Sequence, residues 1–199
     1  YLQNQELFMI NKNELLQLLK DTGALLEGHF KLTSGRHSNR YIEKFRVLEN
    51  PDALDQVCRA MAYPYNDKKI ELVLGAAVGG ILLAGGVGRH LKVKHIFSER
   101  VNGKMVFRRG FHFDPGMRIL IVEDIVTTGG SIIELIDLAE SMNGVIVGIV
   151  NLVTSSSKQM FAGRHLHSLL KLPIDSWEPD QCEMCCQSIP ITALGRSGK

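Results

Sequence analysis

The chain has few cysteines, one tryptophan, almost no net charge and no long apolar run, and these shortages narrow what it can be. Its four cysteines are Cys58, Cys182, Cys185 and Cys186, three of them crowded near the C-terminus. That spacing is not the framework of a small disulfide-stapled secreted fold, so a cytoplasmic location is the default expectation. A formal charge of +2 over 199 residues argues against a nucleic-acid or membrane-surface binder. The apolar runs fall far short of the roughly 20 residues that span a bilayer, and no signal-peptide pattern is legible. Nor is there an internal repeat, a low-complexity segment or a helix-turn-helix with a basic recognition face. With 45% hydrophobic and 22% charged residues, the composition is that of a globular protein, and the length suits one compact domain with a real core.

The sequence alternates strand-like and helix-like segments. An apolar stripe through Leu15, Leu16, Leu18 and Leu19 predicts a helix capped by Asn13 and ending near Gly23. A short strand and turn are expected at 30–35, and a helix at 52–62. Buried strands are expected at 70–74, 93–97, 118–122 and 144–153, with helices between them to about 91 and over 131–141. The polar, basic stretch 99–110 reads as a mobile loop or hairpin. Such alternation argues for a parallel α/β sheet, whose ligands lie beyond the carboxyl ends of its strands. Residues 1–48 read as an N-terminal appendage, 49–172 as the core and 173–199 as a tail of little periodicity.

Most of the chemical information lies in Glu123, Asp124, Ile125, Val126, Thr127, Thr128, Gly129, Gly130 and Ser131. A strand there delivers two carboxylates, then a small-residue loop, onto a helix N-terminus. The loop can aim backbone N–H groups, three hydroxyls and the helix dipole at one phosphate. No lysine follows the glycines, so this is not a Walker A loop. The carboxylates can accept hydrogen bonds from a sugar diol, which makes phosphate plus ribose the expected ligand.

Ala76, Ala77, Val78, Gly79 and Gly80 form a second small-residue turn after a strand. Alone it reads as a tight βα turn; beside the acidic loop it reads as a second anion cradle. Arg100, Lys104, Arg108 and Arg109 concentrate four cations around Gly103. They form either a solvated face or a segment that stabilises an anionic leaving group and closes over substrate. Near the N-terminus, Ser34, Gly35 and His37 lie in a hairpin-like turn, where His37 reads as a surface or turn histidine rather than an acid–base group.

The acidic loop resembles the phosphoribosyl diphosphate (PRPP) loop of the type I phosphoribosyltransferases. The stretch from Phe30 to Ser38, with Tyr41, is similar to the hood segment of the orotate branch of that family. The resemblance runs from about residue 15 to 191. It implies a parallel-sheet, Rossmann-like α/β core with a small N-terminal hood, Mg²⁺ dependence and a homodimer. It further implies PRPP and orotate as substrates, with orotidine 5′-monophosphate and pyrophosphate as products of pyrimidine nucleotide synthesis.

By the same resemblance, Glu123 and Asp124 contact the ribose hydroxyls and the metal through water or ribose, and residues 125–131 hold the 5′-phosphate. Ala76 to Gly80 would bind pyrophosphate, and Arg100 and Lys104, with Arg108 and Arg109 behind them, would neutralise it as it leaves. Arg100, Lys104 and Asp124 carry the catalytic expectation. Thr127, Ser155, Ser34, Gly35 and His37 would shape the base pocket.

The sequence departs from the family pattern in three places. Thr33 and Gly79 stand where many orotate enzymes have lysines. Thr154 and Ser155 replace a common Asp-Arg whose arginine holds the orotate carboxylate; a serine brings no positive charge. Arg36 or Arg40 on the hood is the expected substitute, the alternatives being another purine or pyrimidine base or a non-catalytic PRPP sensor. In the tail, one Cys-x-x-Cys pair (Cys182, Cys185) supplies two of the four ligands of a structural zinc, with Cys186 a third at best. The tail is therefore expected to be packed or redox-sensitive rather than metal-bound.

Overall fold

A computed structural model of the chain describes residues 10–194, so the extreme ends of the expected hood and tail lie outside the described residues. The core is a seven-stranded sheet of order β5-β4-β3-β6-β7-β9-β8. Its members are β3 (Leu72–Ala76), β4 (Lys94–Val101), β5 (Lys104–Val106), β6 (Arg118–Val126), β7 (Val145–Thr154), β8 (Met160–Phe161) and β9 (Arg164–Lys171). The central five run parallel, while β5 and β8 lie antiparallel on the two edges.

Alternation along the parallel strands divides the interior into two layers. Val73, Leu120 and Val122 face one apolar cluster, which includes Leu15, Leu19, Val57, Met61 and Leu83. Leu72, Leu74, Ile119 and Ile121 face the other, with Ile132, Leu135 and Ile136. Successive side chains leave a strand on opposite faces, which explains why Leu72 to Leu74 of β3 and Ile119 to Val122 of β6 are apolar at every position. The first layer is covered by α1 (Lys12–Asp21), α3 (Pro51–Ala62) and α4 (Gly79–Leu91), and the second by α5 (Gly130–Ser141).

Caps fix where α1 and α3 begin. Asn11, not Asn13, caps α1: its side chain accepts from the N–H groups of Asn13 and Glu14 while Glu14 reaches back to the Asn11 N–H. At α3 the Asn50 side chain accepts from the N–H groups of Asp52 and Ala53, just ahead of Pro51 at the first helical position.

The parallel strands also extend beyond their expected ends. In particular, β6 continues to Val126, so Glu123 and Asp124 lie on the strand itself. The basic stretch begins as a hairpin: Asn102 and Gly103, both at positive φ, join β4 to β5. Strand β9 was not anticipated, because Arg164, His165, His167 and Ser168 interrupt its apolar pattern.

The N-terminal and C-terminal segments share a second sheet, of order β10-β2-β1-β11. Here β1 (Leu25–Lys31) pairs antiparallel with β2 (His37–Ile42), and the chain leaves β2 through a short helix, α2 (Phe45–Leu48). From the tail, β10 (Ser176–Trp177) adds to β2 and β11 (Thr192–Ala193) to β1, with the four-residue helix α6 (Glu183–Cys186) between them. The tail thus closes both edges of the hood sheet.

Candidate functional site

The order of the parallel strands reverses at one place. From β3 the chain goes outward to β4, then returns to the other side of β3 as β6. The crevice at the carboxyl ends of β3 and β6 is therefore the topological switch point, where open α/β sheets bind ligands. The two glycine-containing loops identified in the sequence leave those two strands.

Each loop leads into a helix whose first turn has no side-chain cap. Helix α5 begins after Gly129, in the left-handed conformation at φ +81°, and α4 after Val78. This contrasts with the asparagine-capped α1 and α3. Free N–H groups together with the helix dipole suit both starts to an anion. Thr127, Thr128 and Gly130 are exposed, Ser131 is half-buried, and a cavity of about 240 Å³ is lined by Arg100, Glu123, residues 125–132 and Glu134. A larger groove, about 670 Å³, lies between α1 and α3, away from both loops and both carboxylates.

The loops are built on close approaches that require glycine. A methyl group at Gly129 would overlap the ring of the fully buried Phe161, and one at Gly79 would overlap the Asp124 carboxylate. Gly79 thus brings the second loop against the acidic pair. The Ala77 N–H donates to the Ser98 carbonyl at 2.8 Å, and the Ala77–Val78 peptide is cis.

The two carboxylates lie between the uncapped helices. Glu123 lines the cavity under the α5 loop, while Asp124, the next residue on the strand, faces Gly79 and Lys44. The Lys44 ammonium is 2.6 Å from Asp124 Oδ2. Glu123 accepts the Asp124 N–H at 3.0 Å. Burial, then the neighbouring Asp124 charge, pushes the Glu123 carboxyl up to about 8, against the opposing pull of the Asp124 N–H and Lys44. A buried carboxyl so poised gains strongly from hydroxyl donors or a cation. Hard carboxylate oxygens beside two anion sites also suit Mg²⁺, which binds through one or two carboxylates plus substrate phosphates.

The four basic residues do not converge. Arg100 lines the cavity, held by the Gly103 carbonyl at 2.6 Å and by Glu134 at 2.8 Å. Arg109 pairs with Glu99 at 2.9 Å. Lys104 and Arg108 are exposed and form no ion pair among the described residues.

Ser34 and Gly35 form the tip of the β1–β2 hairpin and do not line the cavity. His37 is not the surface or turn histidine expected. It is buried at the start of β2, its ring against His29 and Cys185. Strand register sets Ser155 beside the α5 loop: Val126 pairs with Thr154, and the Ser155 N–H donates to the Val126 carbonyl at 3.0 Å.

Both hood arginines, the expected substitute cations, have partners within the hood or tail. Arg36 pairs with Glu178 and donates to the hydroxyl and carbonyl of Ser176, and Arg40 pairs with Glu27 at 3.6 Å. The cation that the hood does bring to the acidic pair is Lys44, which sequence reasoning passed over. Its partner is 80 positions away, and no local spacing marks it.

Comparison with known proteins places these features in context. Residues 46–184 match the family model for the phosphoribosyl transferase domain. An orotate phosphoribosyltransferase of Chlorobium phaeobacteroides (strain BS1) is 43% identical over 181 residues, covering 91% of this chain and 94% of its own. Another, from Desulforamulus reducens, is 40% identical over 186 residues, covering 94% and 97%. Among solved structures, the crystal structure of orotate phosphoribosyltransferase from Aeropyrum pernix matches with a TM-score of 0.66 at 25% identity, over 79% of this chain and 93% of that one.

Proposed function

Because the chain belongs to the phosphoribosyltransferase family, we propose that it transfers the 5-phosphoribosyl group of PRPP to orotate, giving orotidine 5′-monophosphate and pyrophosphate. The observation that carries this reading is the pair of uncapped helix starts flanking two buried carboxylates at the switch point. PRPP has that same order of groups: a phosphate, a diol and a diphosphate.

The α5 start, with Thr127, Thr128 and Ser131, binds the 5′-phosphate. Glu123 and Asp124 accept hydrogen bonds from the ribose hydroxyls, and the N–H groups of 76–80 bind the diphosphate. The orotate ring nitrogen attacks C1′ as the C1′–O bond breaks, and the electron pair leaves with pyrophosphate. Charge builds on that leaving group, so Arg100 and Lys104, supported by Arg108 and Arg109, act most strongly in the transition state. Glu123 and Asp124 would be the protein's donors to Mg²⁺, which would supply further neutralisation of the leaving charge.

Lys44 holds Asp124 in place before substrate arrives. Thr127, Ser155 and the hood tip at Ser34 and Gly35 border the base. His37, its ring engaged inside the hood, shapes that pocket through the β1–β2 hairpin rather than by contact. The enzyme is a cytoplasmic homodimer in this reading, and among the described residues no helix is long and apolar enough to cross a membrane.

The test is the absorbance change of orotate on incubation with PRPP, Mg²⁺ and the protein, with uracil, adenine, hypoxanthine and xanthine as competitors. Turnover of orotate alone supports the assignment. Preference for another base would make Ser155 a specificity change.

A further inference from the structure

The hood and the tail meet at a cluster that phosphoribosyl transfer does not use. His29, His37, Cys182 and Cys185 place one ligand atom each within 4.8 Å of one another. His29 lies at the irregularity of β1 between Glu27 and Phe30, and its ring meets that of His37 at the start of β2. Cys182 caps α6 and Cys185 sits on it, so the tail supplies both sulfurs from a single turn.

The spacings suit a tetrahedral ion. His29 Nε2 lies 3.0 Å from His37 Nδ1, 3.5 Å from Cys182 Sγ and 3.8 Å from Cys185 Sγ, and Cys185 Sγ lies 3.2 Å from His37 Nδ1. Ligand bonds of about 2.0–2.3 Å at tetrahedral angles put donor atoms about 3.3–3.8 Å apart, within a few tenths of these four separations, and all six fall within 4.8 Å. The other nitrogen of His29 is also committed: Nδ1 lies 2.8 Å from the carbonyl of Ile189, an acceptor to which it can only donate. In the neutral ring this leaves the Nε2 lone pair directed into the cluster, as it is in metal-ligating histidines.

A second observation concerns what holds the tail. Between Asp175 and Leu194 the single buried residue is Cys182. Ile189 and Ile191 are exposed, and the tail's strands are two residues long. A segment with so little apolar burial lacks the usual anchor, and a metal bound by both partners supplies one.

We propose that His29, His37, Cys182 and Cys185 form a closed structural zinc site that clamps the C-terminal tail onto the hood. Two thiolates and two imidazoles favour Zn²⁺ over the hard cations that carboxylates select. Binding deprotonates both thiols and releases their protons to solvent. Cys186 is exposed and stands outside the cluster.

The full chain, purified under reducing conditions, should carry about one zinc per chain by elemental analysis. Replacing it with Co²⁺ should give the ligand-field bands of a tetrahedral site together with thiolate charge-transfer absorption. Cys185→Ser, at an exposed ligand, and His37→Asn should each weaken zinc binding by at least about 100-fold, a loss beyond that of a supporting-shell change. Cys186→Ser should leave affinity unchanged. Chelation should speed limited proteolysis of the wild-type tail by about tenfold or more, as its anchoring is lost. The proposal is overturned if reduced protein holds neither zinc nor cobalt. It is equally overturned if Cys185→Ser or His37→Asn binds like wild type, or if mass spectrometry finds Cys182 and Cys185 joined as a disulfide that reduction does not convert to a metal site.

Discussion

Replacing Glu123 by glutamine tests the electrostatics of the site without substrate. The unfolded carboxyl ionises near 4.5, whereas in the folded protein burial and the Asp124 charge raise it to about 8. Between these values the unfolded chain gives up a proton that the native state keeps. Stability contributed by the protonated form is therefore complete below about pH 4.5 and is lost as pH rises towards 8. At ~1.4 kcal/mol per unit, the shift bounds the loss at about 5 kcal/mol. Because Asp124 and Lys44 act on the same carboxyl, the observed loss should fall below this bound.

Glu123→Gln keeps the shape and removes the titration. Urea denaturation at intervals from pH 5 to 9 should show wild-type stability falling relative to the variant, with the gap levelling off above pH 8. PRPP binding should reverse the shift, because diol hydroxyls donating to Glu123 favour its ionised form. Calorimetry in buffers of different ionisation enthalpy should then record proton release near pH 7, declining by pH 9. Parallel stability curves would dismiss the buried, proton-holding carboxyl. Binding without proton release would dismiss the contact with the diol.

Asp124→Asn, which removes charge from the ribose contact and from the Lys44 pair, should lower kcat/KM for PRPP by about 100-fold. Turnover and PRPP affinity near wild type would show that the acidic pair does not read the sugar. Lys104→Ala should reduce kcat by about 100-fold while PRPP affinity changes by less than about threefold, since its charge matters as the bond breaks; equal loss in both would make it a ground-state contact. Gly129→Ala should cost about 3 kcal/mol in urea unfolding, combining positive φ with overlap against Phe161. Gly163→Ala, also at positive φ but in open space, should cost about 1 kcal/mol. Similar values for the two would remove the close-packing explanation for Gly129.

These predictions fall on features that were legible from sequence to very different degrees. The two small-residue loops were visible because a strand end, a small-residue turn and a helix start are consecutive in the chain. Element ends were less exact where two answers satisfy one rule: Asn11 and Asn13 both precede the leucine stripe, and only the reciprocal bond to Glu14 selects Asn11.

What stayed hidden depends on partners far apart in the chain. Lys44 meets Asp124 across 80 positions, and the hood histidines meet the tail cysteines across about 150. Strands β10 and β11 are too short to show periodicity and exist only as additions to the hood sheet. Treating 1–48 and 173–199 as separate appendages therefore divided the ligands of a single cluster. The two tail cysteines show only half of a four-residue cluster, because the histidines that meet them lie in the opposite terminal segment. The four-stranded hood sheet, and the cluster of side chains on its two central strands and the tail, exist only where the two segments meet.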